Sequence, residues 1–226
     1  MSTAKAAKRK SERPALQQRS QESRALLIKA GFKAFARDGY DGARVADIAK
    51  EAQVTVGAFY HRFGDKRGFF DVMMAEFIKQ GMENTDRFYA QANPAWTIDE
   101  LFERLVAGMA KAVHRNVGFF HAYFTLGRED SSIAKTIQSL DLHGGQKLYQ
   151  FLEANGIAAA NGITQEMAHF GINSIGKTLA FSAAIEGTFY RADDPHVITE
   201  LAHMLRRYLH IDAQTQSVKP TENLND

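Results

Sequence analysis

Between residues 21 and 37 the apolar positions Leu27, Ile28, Gly31, Phe32, Ala34 and Phe35 return at intervals of three and four. That period places them on one face and predicts an amphipathic helix. The run "DGYDG" ends it, with Gly39 as a left-handed cap. In "VADIAKEAQVTVGAFYHRF", residues 45–63, two short helical patterns stand almost end to end with only "QVT" between them. A long helix is predicted over 66–90, carrying Phe69, Phe70, Val72, Met73, Phe77 and Ile78. After the break "ANPAWTIDE", Thr97 and Glu100 form a capping box at the head of a helix over 98–115. Further helices are predicted at 117–127, at 131–154 and, capped by Thr164, up to Tyr190. Pro195 opens the last, which runs to His210. Residues 1–20 and 212–226 are polar without an apolar period, so both are predicted to lack fixed structure. No segment alternates with the period of a strand. The expected fold is all-α with about nine helices, a three-helix unit over 21–66 and a larger helical domain over 67–211.

The short pair has the requirements of a helix-turn-helix. Ala49 and Ala52 let the helices approach, while Ile48, Val54, Phe59 and Phe63 supply an apolar wedge between them. Thr55 can accept the unpaired N–H groups of the second helix. Gly57 and Ala58 keep its first turn slim enough for a major groove. Tyr60, His61, Arg62 and Lys66 offer donors to phosphate oxygens farther along. Each residue also has a plainer reading: Tyr60 as a core aromatic, His61 and Arg62 as solvated surface, Gly57 as tolerance in packing.

Charge separates these alternatives. The formal net charge is only +2, but residues 1–67 hold 15 Lys/Arg against 7 Asp/Glu, and the remainder 13 against 19. A basic first third on an acidic remainder points to one end meeting a polyanion. The absence of cysteine excludes disulfides, thiolate metal sites and cysteine nucleophiles. No run reaches the ~18 apolar residues of a membrane span, and none reads as a signal peptide, so the cytoplasm is the expected compartment.

With these features together, "RVADIAKEAQVTVGAFYHRFGDKRGFF", preceded by "FARDGYDGARV", resembles the N-terminal domain of the TetR family of bacterial transcriptional repressors. The likeness covers about residues 22–72 and rests on the G-Y turn, D-I-A, A-x-V, the G-x-[FL]-Y-x-x-F run and the lysine opening the next helix. It implies a homodimer on a palindromic operator of double-stranded DNA, released by a small-molecule effector. It also implies that Thr55, Val56, Gly57 and Ala58 face the groove, with Arg44, Tyr60, His61, Arg62 and Lys66 around the phosphates. Three departures stand out. Ala43 replaces the family's usual hydroxyl, with Arg44 beside it as a substitute. Val56 replaces a usually polar residue and suggests contact with a thymine methyl. Gln53 replaces the usual glycine of the turn; if left-handed, it carries a strain of about 1 kcal/mol.

In the larger domain, the helix from Thr164 is apolar on nearly every side and the last helix has a wide apolar stripe. One copy has little with which to cover both, so Phe181, Ile185, Leu201, Met204 and Tyr208 are expected at a dimer interface. Phe120, Tyr123 and Phe124, with His143, Gln146, Phe170, Asn173 and Thr178, have the composition of a cavity for a mostly apolar or aromatic ligand. It is equally the composition of a core. The eight histidines are dispersed, and no nucleotide, metalloprotease or nucleophile-elbow motif occurs, so no catalytic residue, metal or cofactor is expected. Two other functions stay open: an architectural DNA binder without an inducer, and a helical small-molecule carrier or enzyme.

Overall fold

The computed structural model describes residues 2–93, 95–185, 191 and 193–212, with side chains described from Gln17 onward. It contains ten helices among them and no strand. The chain divides into two compact units, Met1–Met73 and Met74–Asp226.

The first unit is built on aromatic packing. Helix α1 (Ser2–Gly42) buries Leu27, Ile28, Gly31, Ala34 and Phe35 of the predicted face and also Ala30, while Phe32 is half-buried. At Gly39 the backbone leaves helical values (φ 69°, ψ 177°), in a region of positive φ that glycine enters at little cost. Helices α2 (Val45–Glu51) and α3 (Val56–Phe63) follow, and α4 (Lys66–Ala90) begins in this unit. Phe59 and Phe63 meet the Phe69 ring at 4.9 and 4.8 Å, and Phe35 meets it at 6.3 Å. Each fully buried ring contributes roughly 1.5–3 kcal/mol, so Phe59→Ala alone would cost about 3–5 kcal/mol. Gly31 lets α1 approach this cluster, since a Cβ there would stand 2.5 Å from the Phe69 ring. Asp65 starts α4 by accepting the Gly68 N–H at 2.7 Å.

In the second unit, α5 (Ile98–Arg115) begins with the expected capping box. Thr97 Oγ1 accepts from Glu100 N at 3.2 Å, and Glu100 Oε2 accepts from Thr97 N at 2.8 Å. Next come α6 (Val117–Gly127), α7 (Ser132–Ala154), α8 (Ile157–Asn161), α9 (Gln165–Ala184) and α10 (Pro195–Tyr208). Asp194 caps α10 through the His196 N–H at 2.9 Å, with Pro195 in its first turn. Gly145 admits His169 of α9 against α7, and Gly171 admits Leu205, which would lie 2.6 Å from an added Cβ. Arg206 fastens α10 to the head of α5: one guanidinium nitrogen reaches both Asp99 oxygens at 2.9 and 2.7 Å, and Nε donates to the Ile211 carbonyl at 3.1 Å.

Three boundaries and one additional helix differ from expectation. Helix α1 starts at Ser2, within the segment 1–20 predicted to lack structure; its Ala, Lys, Arg, Gln and Glu content favours helix. Helix α8 was not predicted, since five residues between Gly156 and Gly162, both at positive φ, are too short to show a period. Helix α9 ends at Ala184 because Ile185 is extended (φ −109°, ψ 116°), and residues 186–190 of the predicted run to Tyr190 lie outside the described residues. Helix α10 stops at Tyr208, two residues short of His210, whose φ is 56°. Most of the predicted C-terminal tail, residues 213–226, also lies outside them.

Candidate nucleic-acid interface

The α2–α3 corner is set by hydrogen bonds that close α2. Gln53 N donates to Lys50 O at 3.1 Å and Val54 N to Ala49 O at 2.9 Å. This is the Schellman pattern, in which the residue after the cap is left-handed. Gln53 occupies that place with φ 57°, so the domain bears the strain that a missing glycine implies. Two residues later Thr55 is extended, and its Oγ1 accepts the Ala58 N–H at 3.1 Å. The chain thus turns and restarts as helix within three residues.

Helix α3 then sorts its side chains cleanly. Phe59 and Phe63, four apart, are buried. Thr55, Val56, Gly57, Ala58, Tyr60, His61 and Arg62 are exposed, Val56 and Tyr60 to 41% and 48%. A large apolar and an aromatic side chain left half in solvent on one short helix make an outward contact face. Gly57 is informative here. An added Cβ would meet nothing nearer than Thr55 Oγ1 at 3.9 Å, so internal packing does not require glycine.

Two of the expected phosphate donors have partners inside the protein. Lys66 Nζ donates to the carbonyls of Tyr40 (2.8 Å), Asp41 (3.2 Å) and Ala43 (3.2 Å) and lies 4.7 Å from the Tyr40 ring centre. Its three N–H donors are thereby spent on the α1–α2 turn. In this structure Lys66 thus clamps that turn. Arg62 donates to the Ser20 carbonyl at 2.7 Å and to Ser20 Oγ at 3.0 Å, tying α3 to α1. Arg44 is exposed at the N-cap of α2, and Ala43 beside it is buried. Lys33 and Glu51 pair at 2.8 Å between α1 and α2. The Arg37 guanidinium holds Asp38 below the usual carboxylate range, and burial raises the Tyr40 phenol.

In the second unit the residues expected to line one cavity have varied surroundings. Phe120 and Tyr123 are buried in an aromatic stack with Phe77 and Phe119. His143 pairs with Asp86 at 3.0 Å, and Lys147 meets the same carboxylate at 3.0 Å. The Lys147 hydrogen bond, with help from His143, lowers the Asp86 pKa. Asn173 donates to Asp141 at 2.9 Å, beside Lys177 at 3.2 Å; burial nonetheless raises the Asp141 pKa. Gln146 is exposed, and Phe170 is 61% exposed with its ring 5.4 Å from Tyr208. Phe124 and Thr178 instead line an open groove of about 1200 Å³ along α9 and α10, together with Phe181, Leu201, Met204 and Tyr208. Phe181, Ile185 and Met204 are 54%, 42% and 45% exposed. Two of the four polar residues, His143 and Asn173, serve acids on neighbouring helices, a pairing between distant residues that composition does not reveal. Among the described residues two buried polar atoms, the Tyr89 hydroxyl and His169 Nε2, have no protein partner. Among the described residues no group of three or more acidic or histidine side chains suits a metal, and no helix is long and apolar enough to cross a membrane.

Residues 27–73 match the family model for bacterial regulatory proteins of the tetR family. The HTH-type transcriptional regulator BetI of Stenotrophomonas maltophilia (strain R551-3) is 36% identical over 69 residues, 30% of this chain and 35% of that protein. BetI of Burkholderia thailandensis is 32% identical over 72 residues, 32% and 37% of the two chains. The likeness therefore spans about a third of these relatives. In fold it extends much farther. A tetR-family transcriptional regulator from Streptomyces coelicolor superposes with a TM-score of 0.64 at 16% identity, over 83% of this chain and 80% of that one. The fatty acid degradation regulator FadR from Bacillus halodurans does so with a TM-score of 0.60 at 17% identity, over 80% and 96%.

Proposed function

We propose that this chain, whose residues 27–73 match the TetR family model, acts as a dimeric, effector-controlled repressor of transcription. The outward face of α3 carries this reading. Phe59 and Phe63 lock the helix into the core, and Thr55, Val56, Gly57 and Ala58 stand free at its slim end. That end enters the major groove, with Val56 against an apolar base edge. Tyr60, His61 and Arg44 reach backbone phosphates, and Lys66 and Arg62 hold the turn and the helix in register for them.

Two copies are needed for a palindromic site. The exposed Phe170 and Phe181 on α9, Ile185 just beyond it and Met204 on α10 form an apolar surface that a mate would cover. Residues of α4 belong to both units, so a change in the second has a covalent route to Lys66 and the turn it clamps. An effector shifts operator affinity only if it binds the two states unequally. The aromatic interior and the unpartnered Tyr89 hydroxyl favour an apolar effector carrying a hydrogen-bonding group.

Selection of bound duplexes from a random pool tests the reading. The expected product is a two-fold site with half-sites about 10 base pairs apart. Tyr60→Phe should weaken binding to all sequences alike, whereas Val56→Ser should change the preferred base. A shifted preference in Tyr60→Phe with none in Val56→Ser would reverse the groove assignment.

A further inference from the structure

Helix α1 extends well past the core it supports. Its first buried residue among those described is Leu27, and every residue from Gln17 to Glu22 is exposed. Over Gln17–Glu22 the backbone is thus ordered with no apolar face buried beneath it. Its composition is also one-sided: residues 1–20 carry six Lys/Arg and one Glu. Helical spacing brings positions 5, 9 and 13, which are Lys5, Arg9 and Arg13, within an arc of about 80° that also contains position 20. Ser20 is where the far end of α3 holds α1, through both Arg62 bonds. Three of the six basic positions of residues 1–20 therefore fall on the side of the helix that carries Ser20. Pro14 has no N–H to give to the carbonyl four residues back, so the helix can bend there.

We infer that residues 2–19 form a second DNA-contacting element, a basic arm seated beside α3 by the Arg62–Ser20 clamp. It neutralises backbone phosphates of the duplex flanking the sequence that α3 reads. The inference rests on the DNA-binding reading above. At 1.5 Å per residue the arm reaches about 27 Å past Ser20, the length of roughly eight base pairs. Such contacts are indifferent to base sequence and add affinity through counterion release. An anionic lipid surface is the other polyanion to consider. The arm carries only alanines and Leu16 as apolar residues, too little to anchor in a bilayer, and its clamp lies on the DNA-facing helix.

The test compares the full chain with the variant K5Q/K8Q/R9Q/K10Q/R13Q on the selected site, once with flanks of about 10 base pairs and once trimmed to the site. Glutamine keeps helix propensity, and an unchanged thermal melt checks the fold. On the flanked duplex the slope of log affinity against log salt should fall by about 2–4, at ~0.9 per lost phosphate contact. For three lost contacts, the parent's advantage shrinks about 40-fold between about 50 and 200 mM salt. On the trimmed duplex the two proteins should converge, and the preferred core sequence should be the same for both. Equal slopes on the flanked duplex would overturn the arm while leaving the α3 reading intact. So would loss of binding to phosphatidylserine vesicles in the variant with the duplex slope unchanged. A full chain that selects no duplex at all would overturn the DNA-binding reading itself, and the arm with it.

Discussion

Replacing Gln53 with glycine should make the first unit more stable, although the change removes a side chain and adds backbone freedom. Gln53 sits at φ 57° after the α2 cap, where its N–H and that of Val54 close the end of the helix. A residue with a Cβ is strained in that conformation by about 1–2 kcal/mol. Glycine removes the strain but loses about 0.5–1 kcal/mol more in conformational entropy on folding. The Gln53 side chain is exposed, so no packing term enters. The net gain is about 0.5–1 kcal/mol, or roughly 2–8 °C in a domain of this size. Chemical denaturation followed by circular dichroism, with hydrogen exchange at the Val54 amide to report on the corner itself, reads the effect. Gln53→Ala serves as the control, since it keeps the strain and should give no gain. A Gln53→Gly variant that loses stability by about 1 kcal/mol, as glycine does at an ordinary helical position, would show that residue 53 is not left-handed in solution.

Other outcomes follow from the same structure. Lys66→Gln should cost about 1–3 kcal/mol, because three carbonyls lose a charged donor, and operator affinity should fall with salt sensitivity nearly unchanged; a loss of slope equal to a full phosphate contact would restore Lys66 to the DNA surface. Phe181→Glu, which places charge at a 54% exposed apolar position, should shift sedimentation to a monomer and abolish binding to the two-fold site; an unchanged dimer would place the interface elsewhere. Asp141→Asn should gain stability at neutral pH relative to the parent. Burial raises the Asp141 carboxyl pKa, so the folded state binds its proton more tightly than the unfolded state. The parent therefore recovers stability as pH falls through that raised value. The advantage of the asparagine should vanish there, and urea midpoints that show a gain independent of pH would contradict this.

The sequence exposed what depends on neighbours a few residues apart. The Thr97–Glu100 box, the Thr55 cap and the burial of Phe59 and Phe63 at a spacing of four all declare themselves locally. So did the strain at Gln53, once the turn was known to call for glycine. Contacts between distant residues stayed hidden. Ser20 and Arg62 are 42 residues apart, Lys66 and the Tyr40 carbonyl 26, and His143 and Asp86 57. Those contacts give two expected phosphate ligands partners within the protein and pair one expected cavity residue with an acid. The short α8 escaped because its length, between two glycines, is less than one amphipathic repeat.

The Arg206 bridge has a bearing on association. It ties the last turn of α10 to the first turn of α5 and to the Ile211 carbonyl beyond it. The apolar side chains on α10 are thus displayed from a base already fastened at its far end. Whatever settles on that surface encounters a platform rather than a fraying terminus, and forfeits less disorder in settling.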